Sequence, residues 1–314
     1  MTARGFLRHE TILALLVLVA LFVLDRQSDR FLTVDNLFNQ GRLMTEVGLI
    51  AIVMTFVIVT GGIDLSVGSI LGMTAILIGV FWKNMGLPLP AAIGMGLVVG
   101  AFAGFVNGVI ITRFKVPPLI ATLGTLALYR GIAEGVSEAR SVRGYPEWFF
   151  VLGQGELWGA PTQLWIFAAV AIVAAVVLAY TTFGRTTYAV GSNEVAARFS
   201  GLGVDGAKIA IYSASGLAAA IAAAIFVSRV STTRSDMGTG IELDAITAVV
   251  LGGTSIFGGR GTIIGTLLGL VLIQSLKNGL SLAGVKSDGT VVLIGAVLIL
   301  TILISNLVHR DATR

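Results

Sequence analysis

Cysteine is absent from this chain of 314 residues, and histidine occurs only as His9 and His309, near the two ends. The sequence therefore lacks the thiolate and imidazole groups that the usual zinc sites and nucleophilic active sites require. These absences disfavour an enzyme that works inside a bilayer. Full function after replacement of both histidines would exclude that class.

Charged residues are also scarce. They make up 12% of the chain, against about a quarter of a typical soluble domain. Hydrophobic residues make up 55% and the mean hydropathy is +0.93, so the sequence predicts an integral membrane protein. The net charge of +4 comes without a long run of Lys and Arg, which argues against a nucleic-acid partner.

Apolar segments recur along the chain at about 20 residues, the length with which a helix spans a hydrocarbon core of about 30 Å. They run continuously, whereas the strands of a membrane β-barrel alternate. The sequence predicts an all-α polytopic membrane protein with about ten transmembrane helices, at residues 10–25, 43–61, 65–82, 88–111, 117–136, 162–181, 207–228, 242–257, 262–283 and 288–308.

The N-terminal segment suggests an orientation. Arg4 and Arg8 precede the first apolar run, and Asp25 and Arg26 follow it in place of a small-residue cleavage site. We expect an uncleaved first helix that starts in the cytoplasm, and an even number of spans then places the C-terminus there as well. All four tryptophans fall beside predicted outer helix ends, as in an aromatic belt, and "PEWFFVLG" predicts a short interfacial helix.

The stretch "TGGIDLSVGS", residues 60–69, lies between two apolar runs and places Asp64 at membrane depth. A carboxylate there is costly, so it should face the bundle interior, water or helix N-termini. Gly61 and Gly62 can interrupt a helix. We predict that Asp64 caps the following half-helix by accepting a hydrogen bond from the backbone N–H of Val67. This structural role is favoured over direct contact with a transported solute.

A second stretch, "GGTSIFGG" at residues 252–259, shares the pattern GGxx[LI]xxG with "GGIDLSVG" at residues 61–68. Paired breaks in two halves of a chain point to transport sites in repeat-built transporters, so an internal duplication is one interpretation. The residues predicted for the translocation path or a helix break are Gly61, Gly62, Asp64, Ser66, Asn107, Thr254 and Ser255. For any single Ser or Thr, a hydrogen bond to its own helix backbone is the commoner role.

The longest predicted inner connection contains a short helix at residues 192–199. Asn193 is its predicted N-cap, Glu194 suits its first turn, and Gly201 or Gly203 can end it. This helix carries an apolar strip of Val195, Ala196 and Phe199, with Arg198 beside it. A surface loop does not need such a strip, whereas a helix that lies in the groove of another protein does.

Two other motifs approach nucleotide-binding signatures. "GLGVDG" has no strand to feed a βαβ unit, and "GTSIFGGR" has Gly259 and Arg260 where a phosphate-binding loop needs Lys and Ser or Thr. The chain itself is therefore not expected to hydrolyse ATP.

Five long stretches carry a resemblance to a known family. They are "TGGIDLSVGS", "GFVNGVIITRFKVPPLIATLGTLALYRGIA", "FGRTTYAVGSNEVAARFSG", "AITAVVLGGTSIFGGRGTIIGTLLG" and "GLSLAGV". Over essentially its full length, the chain resembles the membrane permease of the ribose-type family of bacterial ABC sugar importers. "RSDMG" and "GVSEARSVRGYPEWF" look more like the rhamnose and autoinducer-2 branches than the ribose branch.

The resemblance implies that residues 1–314 form a single permease domain in the bacterial inner membrane. It implies a second permease copy or a sister permease, cytoplasmic ATPase subunits, and a periplasmic binding protein that delivers the sugar. ATP and magnesium would lie on the partner ATPase, and this chain would bind no cofactor. The cytoplasmic coupling segment would cover residues 182–206, with Asn193, Glu194, Ala196, Ala197, Arg198 and Gly201 as the coupling residues.

Ala196, Ala197 and Gly201 keep the A-A-x-x-x-G spacing of the coupling loop in other importers, but Val195 stands where a glutamate is expected. The main rival function is an ion-coupled secondary transporter, in which Asp64 carries a proton or ion. Transport that stops when ATP is removed, but survives collapse of the ion gradient, would exclude this rival.

Overall fold

The structure is a computed structural model that describes residues 3–138 and 140–285, together with residues 289, 292, 295, 296 and 299; side chains are described from Glu10 onward. The predicted last span, residues 288–308, and the C-terminus lie almost wholly outside the described residues. Within them the fold is helical, with the helices α1 Ala3–Gln27, α2 Val34–Val59, α3 Val67–Gly79, α4 Leu89–Arg113, α5 Pro118–Ser137, α6 Thr162–Tyr180, α7 Thr182–Ser192, α8 Glu194–Phe199, α9 Val204–Val230, α10 Ile241–Leu251 and α11 Ile263–Leu282.

Seven helices in the described part of the chain are long and apolar enough to cross a membrane. They are α2, α3 with the π-helical turn Val80–Asn84 that extends it, α4, α5, α6, α9 and α11. Helix α1 packs along α11 through Leu13, Val17 and Leu272. A polytopic helical membrane protein is therefore confirmed.

The predicted eighth span, residues 242–257, is wrong as a continuous helix. Helix α10 has 11 residues, which is about 16 Å at 1.5 Å per residue and too short for a membrane of about 30 Å. It ends because Gly253 adopts φ +89°, a conformation that glycine tolerates and other residues rarely adopt. The connection before α8 also differs from the prediction, since residues 182–192 form α7.

Small residues hold the centre of the bundle together. Helix α4 lies so close to α9 that a Cβ atom added at Gly104 would stand 2.1 Å from the carbonyl oxygen of Tyr212, and one added at Gly216 would stand 2.1 Å from that of Gly100. Helices can approach this closely in a membrane where glycine removes the side chain from the contact.

The connection between α5 and α6 contains the 3₁₀ helix Glu147–Leu152 and a hairpin of β1 Glu156–Leu157 and β2 Ala160–Pro161. The short helix predicted from "PEWFFVLG" is thus present, as a 3₁₀ helix. Its Phe149 is fully buried.

Candidate functional site: two helix breaks and a coupling segment

The first helix break follows α2. Gly61 adopts φ +77°, and the backbone N–H of Gly62 donates to the carbonyl oxygen of Val57 at 3.0 Å, which closes the helix end. The hydroxyl of Thr60 donates to the same carbonyl at 2.7 Å. Gly61 and Gly62 therefore end the helix as predicted, and α3 begins at Val67.

Asp64 lies in this break and is fully buried. Its Oδ1 accepts hydrogen bonds from the backbone N–H of Ser66 at 3.0 Å and from the Ser66 hydroxyl at 2.6 Å, and its Oδ2 accepts from the Ser215 hydroxyl at 2.8 Å. Three donors thus compensate for the loss of water around the carboxylate. The predicted cap on Val67 is not the geometry found, because Ser66 precedes α3 and Asp64 bonds to the residue two places after itself.

Asn107 completes this buried network. Its amide donates to the Ser66 hydroxyl at 2.8 Å, so that three of the predicted path residues, Asp64, Ser66 and Asn107, lie together. Ser215, which sequence reasoning missed, adds α9 to the network. The network therefore ties the first break to α3, α4 and α9. The available signal was a pair of serines, Ser213 and Ser215, before the Ala-rich stretch of α9.

The second break lies between α10 and α11. The backbone N–H of Ser255 donates to the carbonyl oxygen of Arg260 at 3.0 Å, which closes a compact loop, and Thr262 caps α11 by accepting from Gly265 N at 3.0 Å. Thr254 and Ser255 are both buried in this loop and do not contact the Asp64 network through a hydrogen bond. The predicted path residues thus divide between two sites.

The two breaks touch each other and α7. The backbone N–H of Gly259, in the second break, donates to the carbonyl oxygen of Val59 at 2.8 Å. Gly191 of α7 sits over this junction, since an added Cβ atom would stand 1.7 Å from the Val59 oxygen and 2.5 Å from Gly259 N. Tyr188 of α7 also donates its hydroxyl to the carbonyl oxygen of Gly261 at 2.6 Å. Helix α7 therefore contacts both breaks.

Helices α7 and α8 lie within residues 182–206, where the sequence predicts a coupling segment. The Asn193 side chain caps α8 by accepting from Ala196 N at 2.9 Å, and Gly201 ends the turn after α8 with φ +78°. Val195 is 63% exposed and Phe199 is 89% exposed. The apolar strip predicted on this helix is thus open to a partner.

Ala197, another of the predicted coupling residues, faces inward. Its side chain is 4% exposed and packs with Val190 and Val204, so it supports the segment from within. A six-residue helix is too short for sequence periodicity to fix which face is buried. Ala196, next to it, is exposed.

An ion-pair network anchors α8 to the start of α9. Glu194 accepts from Arg198 at 3.0 Å and from Lys208 at 2.5 Å, and Arg198 also donates to Asp205. Partial burial would raise the pKa of Glu194, but the hydrogen bonds from Lys208 and Arg198 outweigh it, and the net pKa is lowered. Hydrogen bonds to Asp205 and Glu194 raise the pKa of Arg198.

A bundle of apolar helices, interrupted by two adjacent breaks and joined to an exposed amphipathic segment, defines a polytopic membrane permease. The family model described as "Branched-chain amino acid transport system / permease component" matches residues 36–302. The chain belongs to this family and, within it, to the ribose-type permeases of ABC sugar importers.

Curated relatives match over nearly the whole chain. The ribose import permease protein of Escherichia coli K12 is 40% identical over 97% of this chain and 95% of its own length. The ribose import permease protein of Bacillus subtilis is 42% identical over 87% and 85%. The autoinducer 2 import system permease protein of an Enterobacter strain is 34% identical over 98% and 96%. No solved structure matches.

Proposed function

We propose that this chain is the membrane-spanning subunit of an ATP-driven importer, in a bacterial inner membrane, for a monosaccharide or sugar-like molecule. The names of its relatives, for ribose and for autoinducer 2, support that substrate class. The observation that carries the proposal is α8, whose exposed apolar face lies on a segment that is anchored to α9 and in contact with both helix breaks. The narrower rhamnose or autoinducer-2 placement stays a prediction.

The coupling step begins at Val195 and Phe199. These side chains dock in a groove on a separate ATPase subunit, which holds the ATP and magnesium. Movement of α8 then passes in two directions: through the pairs of Glu194 and Arg198 into α9, and through Gly191 of α7 to the junction of the two breaks. Because α3 and α11 begin at these breaks, both helices tilt when the junction of the breaks moves.

Alternating access follows from this tilt. Packed helices shift as rigid bodies between a small number of arrangements, so a movement of the coupling segment closes one end of the path while the other opens. A periplasmic binding protein supplies the sugar to the outer end. In this scheme both chain termini and α7–α8 are cytoplasmic.

The surface of α5 supports pairing with a second permease chain, either a second copy or a sister subunit. Gly124, Gly131 and Gly135 lie on this helix with no other atom near a position where a Cβ would stand. Such open glycines let two helices approach closely in a membrane. Because the chain has no cysteine, a single Gly131→Cys variant can be cross-linked specifically. Cross-linked dimers with Gly131→Cys, and none with the exposed α6 variant Val173→Cys, are expected.

Reconstituted transport tests the coupling assignment. The permease is placed in liposomes with its ATPase and binding protein, and Phe199→Ser and Val195→Ser are compared with Tyr180→Ser, which removes an exposed aromatic ring outside α7–α8. We expect the two α8 variants to insert normally into the membrane but to lose sugar uptake at least about tenfold. A tenfold loss corresponds to about 1.4 kcal/mol of interaction between α8 and the ATPase. The ATPase activity should also stop responding to the binding protein. Unchanged uptake in both would contradict the proposal.

A further inference from the structure

A cavity of about 720 Å³ lies at the far end of the bundle from α7–α8. It is lined by residues of α2, the end of α9, residues 232–239, α10 and α11. Arg229 lines it, whereas Lys208, on the same helix, contacts α8. The rise of an α-helix separates these two residues of α9 by about 31 Å. The cavity is therefore remote from the coupling segment, at the end where the sugar would arrive.

The charges that line this cavity are balanced. Its six charged residues form three ion pairs, Glu46 with Arg229 at 2.8 Å, Asp236 with Arg234 at 2.5 Å, and Asp244 with Lys277 at 2.5 Å. The three acidic and three basic side chains leave the lining with no net charge. The cavity therefore offers no excess charge to attract an anion or a cation, and the electrostatics favour a neutral guest.

Hydrogen-bonding capacity nevertheless remains in the cavity. Arg229 uses only its Nε for Glu46, so its two terminal nitrogens still carry donors. The Gln274 side chain is half-buried and makes no hydrogen bond with any described residue. Planar guanidinium, amide and carboxylate groups together suit a hydroxyl group, which both donates and accepts. Phe226 and Met237 add apolar wall on which a sugar ring can lie.

From this geometry we propose that each permease chain has its own outward binding chamber for an uncharged polyol, formed within one bundle. The volume falls within the range of about 300–1,000 Å³ of small-molecule sites. This inference rests on the proposed function and adds a weak sugar site on the permease itself, beyond the selection made by a binding protein.

Binding to the permease alone tests the chamber. The full chain is purified into nanodiscs without ATPase or binding protein, and saturation-transfer NMR measures binding of D-ribose and L-rhamnose. Ribose 5-phosphate, an anion, and valine, a zwitterion, serve as competitors. We expect saturable millimolar sugar binding, on the order of −4 kcal/mol, with no competition from either competitor. Gln274→Leu should weaken binding at least about tenfold, which corresponds to about 1.4 kcal/mol.

Two further measurements make the result decisive. Asn84→Leu removes an exposed amide outside the cavity and should bind sugar as the wild type does. In the otherwise cysteine-free chain, Gln274→Cys should react with a membrane-impermeant thiol reagent, and sugar should slow that reaction. The chamber would be overturned if the permease showed no saturable sugar binding, or if Gln274→Leu bound sugar as the wild type does. If the complete transporter still took up sugar in that case, the proposed function would stand. Better binding of valine than of either sugar would overturn the chamber chemistry, and absence of ATP-driven sugar uptake would overturn the proposed function.

Discussion

The backbone N–H of Gly259 donates a hydrogen bond to the carbonyl oxygen of Val59, at 2.8 Å. These residues are 200 positions apart, and each lies at a point where a membrane helix is interrupted. A carbonyl at the end of α2, which has lost its helical donor, thereby gains one from the other break. The two breaks form one junction, and α7 covers it.

Gly191→Ala tests this junction. The new methyl group would overlap the Val59 oxygen, so we expect the variant to lose about 1–3 kcal/mol of stability, the usual cost of overpacking, and to lose uptake. Gly203→Ala is the matched control, because nothing lies within 4 Å of its added Cβ and its φ is −74°. Thermal unfolding in nanodiscs measures both. Equal melting temperatures for the two variants would show that α7 does not rest on the junction as described.

Two substitutions, Asp64→Asn and Asp64→Ala, test whether the Asp64 carboxylate has a structural role or carries an ion. Asparagine keeps an oxygen for the N–H and hydroxyl of Ser66, and its amide can donate to the Ser215 hydroxyl, so most stability and uptake should remain. Alanine leaves these buried groups without their acceptor, at about 1–3 kcal/mol for each unsatisfied group. Uptake and melting temperature are measured together. Loss of uptake in a folded Asp64→Asn protein, with dependence on an ion gradient, would favour the secondary transporter instead.

Much of this site follows from local sequence signals. The break after Val59 comes from two consecutive glycines, and the start of α8 comes from Asn193, so both could be predicted. The partners of Asp64 could not, because Ser215 is 151 residues away and its position depends on how α9 packs. The end of α10 was missed because the apolar run continues into Gly252 and Gly253, and only the loop that follows shows that the chain turns.

Acidification should release α8 from α9. Because the pKa of Glu194 is lowered from 4.5 in the folded protein, its ion pairs contribute stability that is fully present above about pH 4.5 and is lost as the pH falls through the folded pKa. The melting temperature of the wild type should therefore exceed that of Glu194→Gln by a constant margin from pH 7 to about pH 5, and the margin should vanish at lower pH. Glu138→Gln, at an exposed position, is the control. If the difference in melting temperature between wild type and Glu194→Gln persisted at acidic pH, the stabilising effect of Glu194 would come from packing and not from its charge.

Arg130 should hold the loop at residues 231–240 in place. Its guanidinium donates to the carbonyl oxygens of Ser235, Met237 and Gly68, the last two at 3.0 and 3.3 Å, and so ties α5 to this loop and to the start of α3.

Lysine has a single nitrogen and cannot make the same forked contact. We expect Arg130→Lys to accelerate amide hydrogen exchange across residues 232–240 at least about tenfold, a loss of about 1.4 kcal/mol of local protection, while exchange in α9 stays unchanged. Arg140→Lys, whose side chain is 84% exposed, should have no such effect. Wild-type exchange in Arg130→Lys would mean that Ser231, Gly238 and Gly240, which adopt positive φ, fix the loop by themselves.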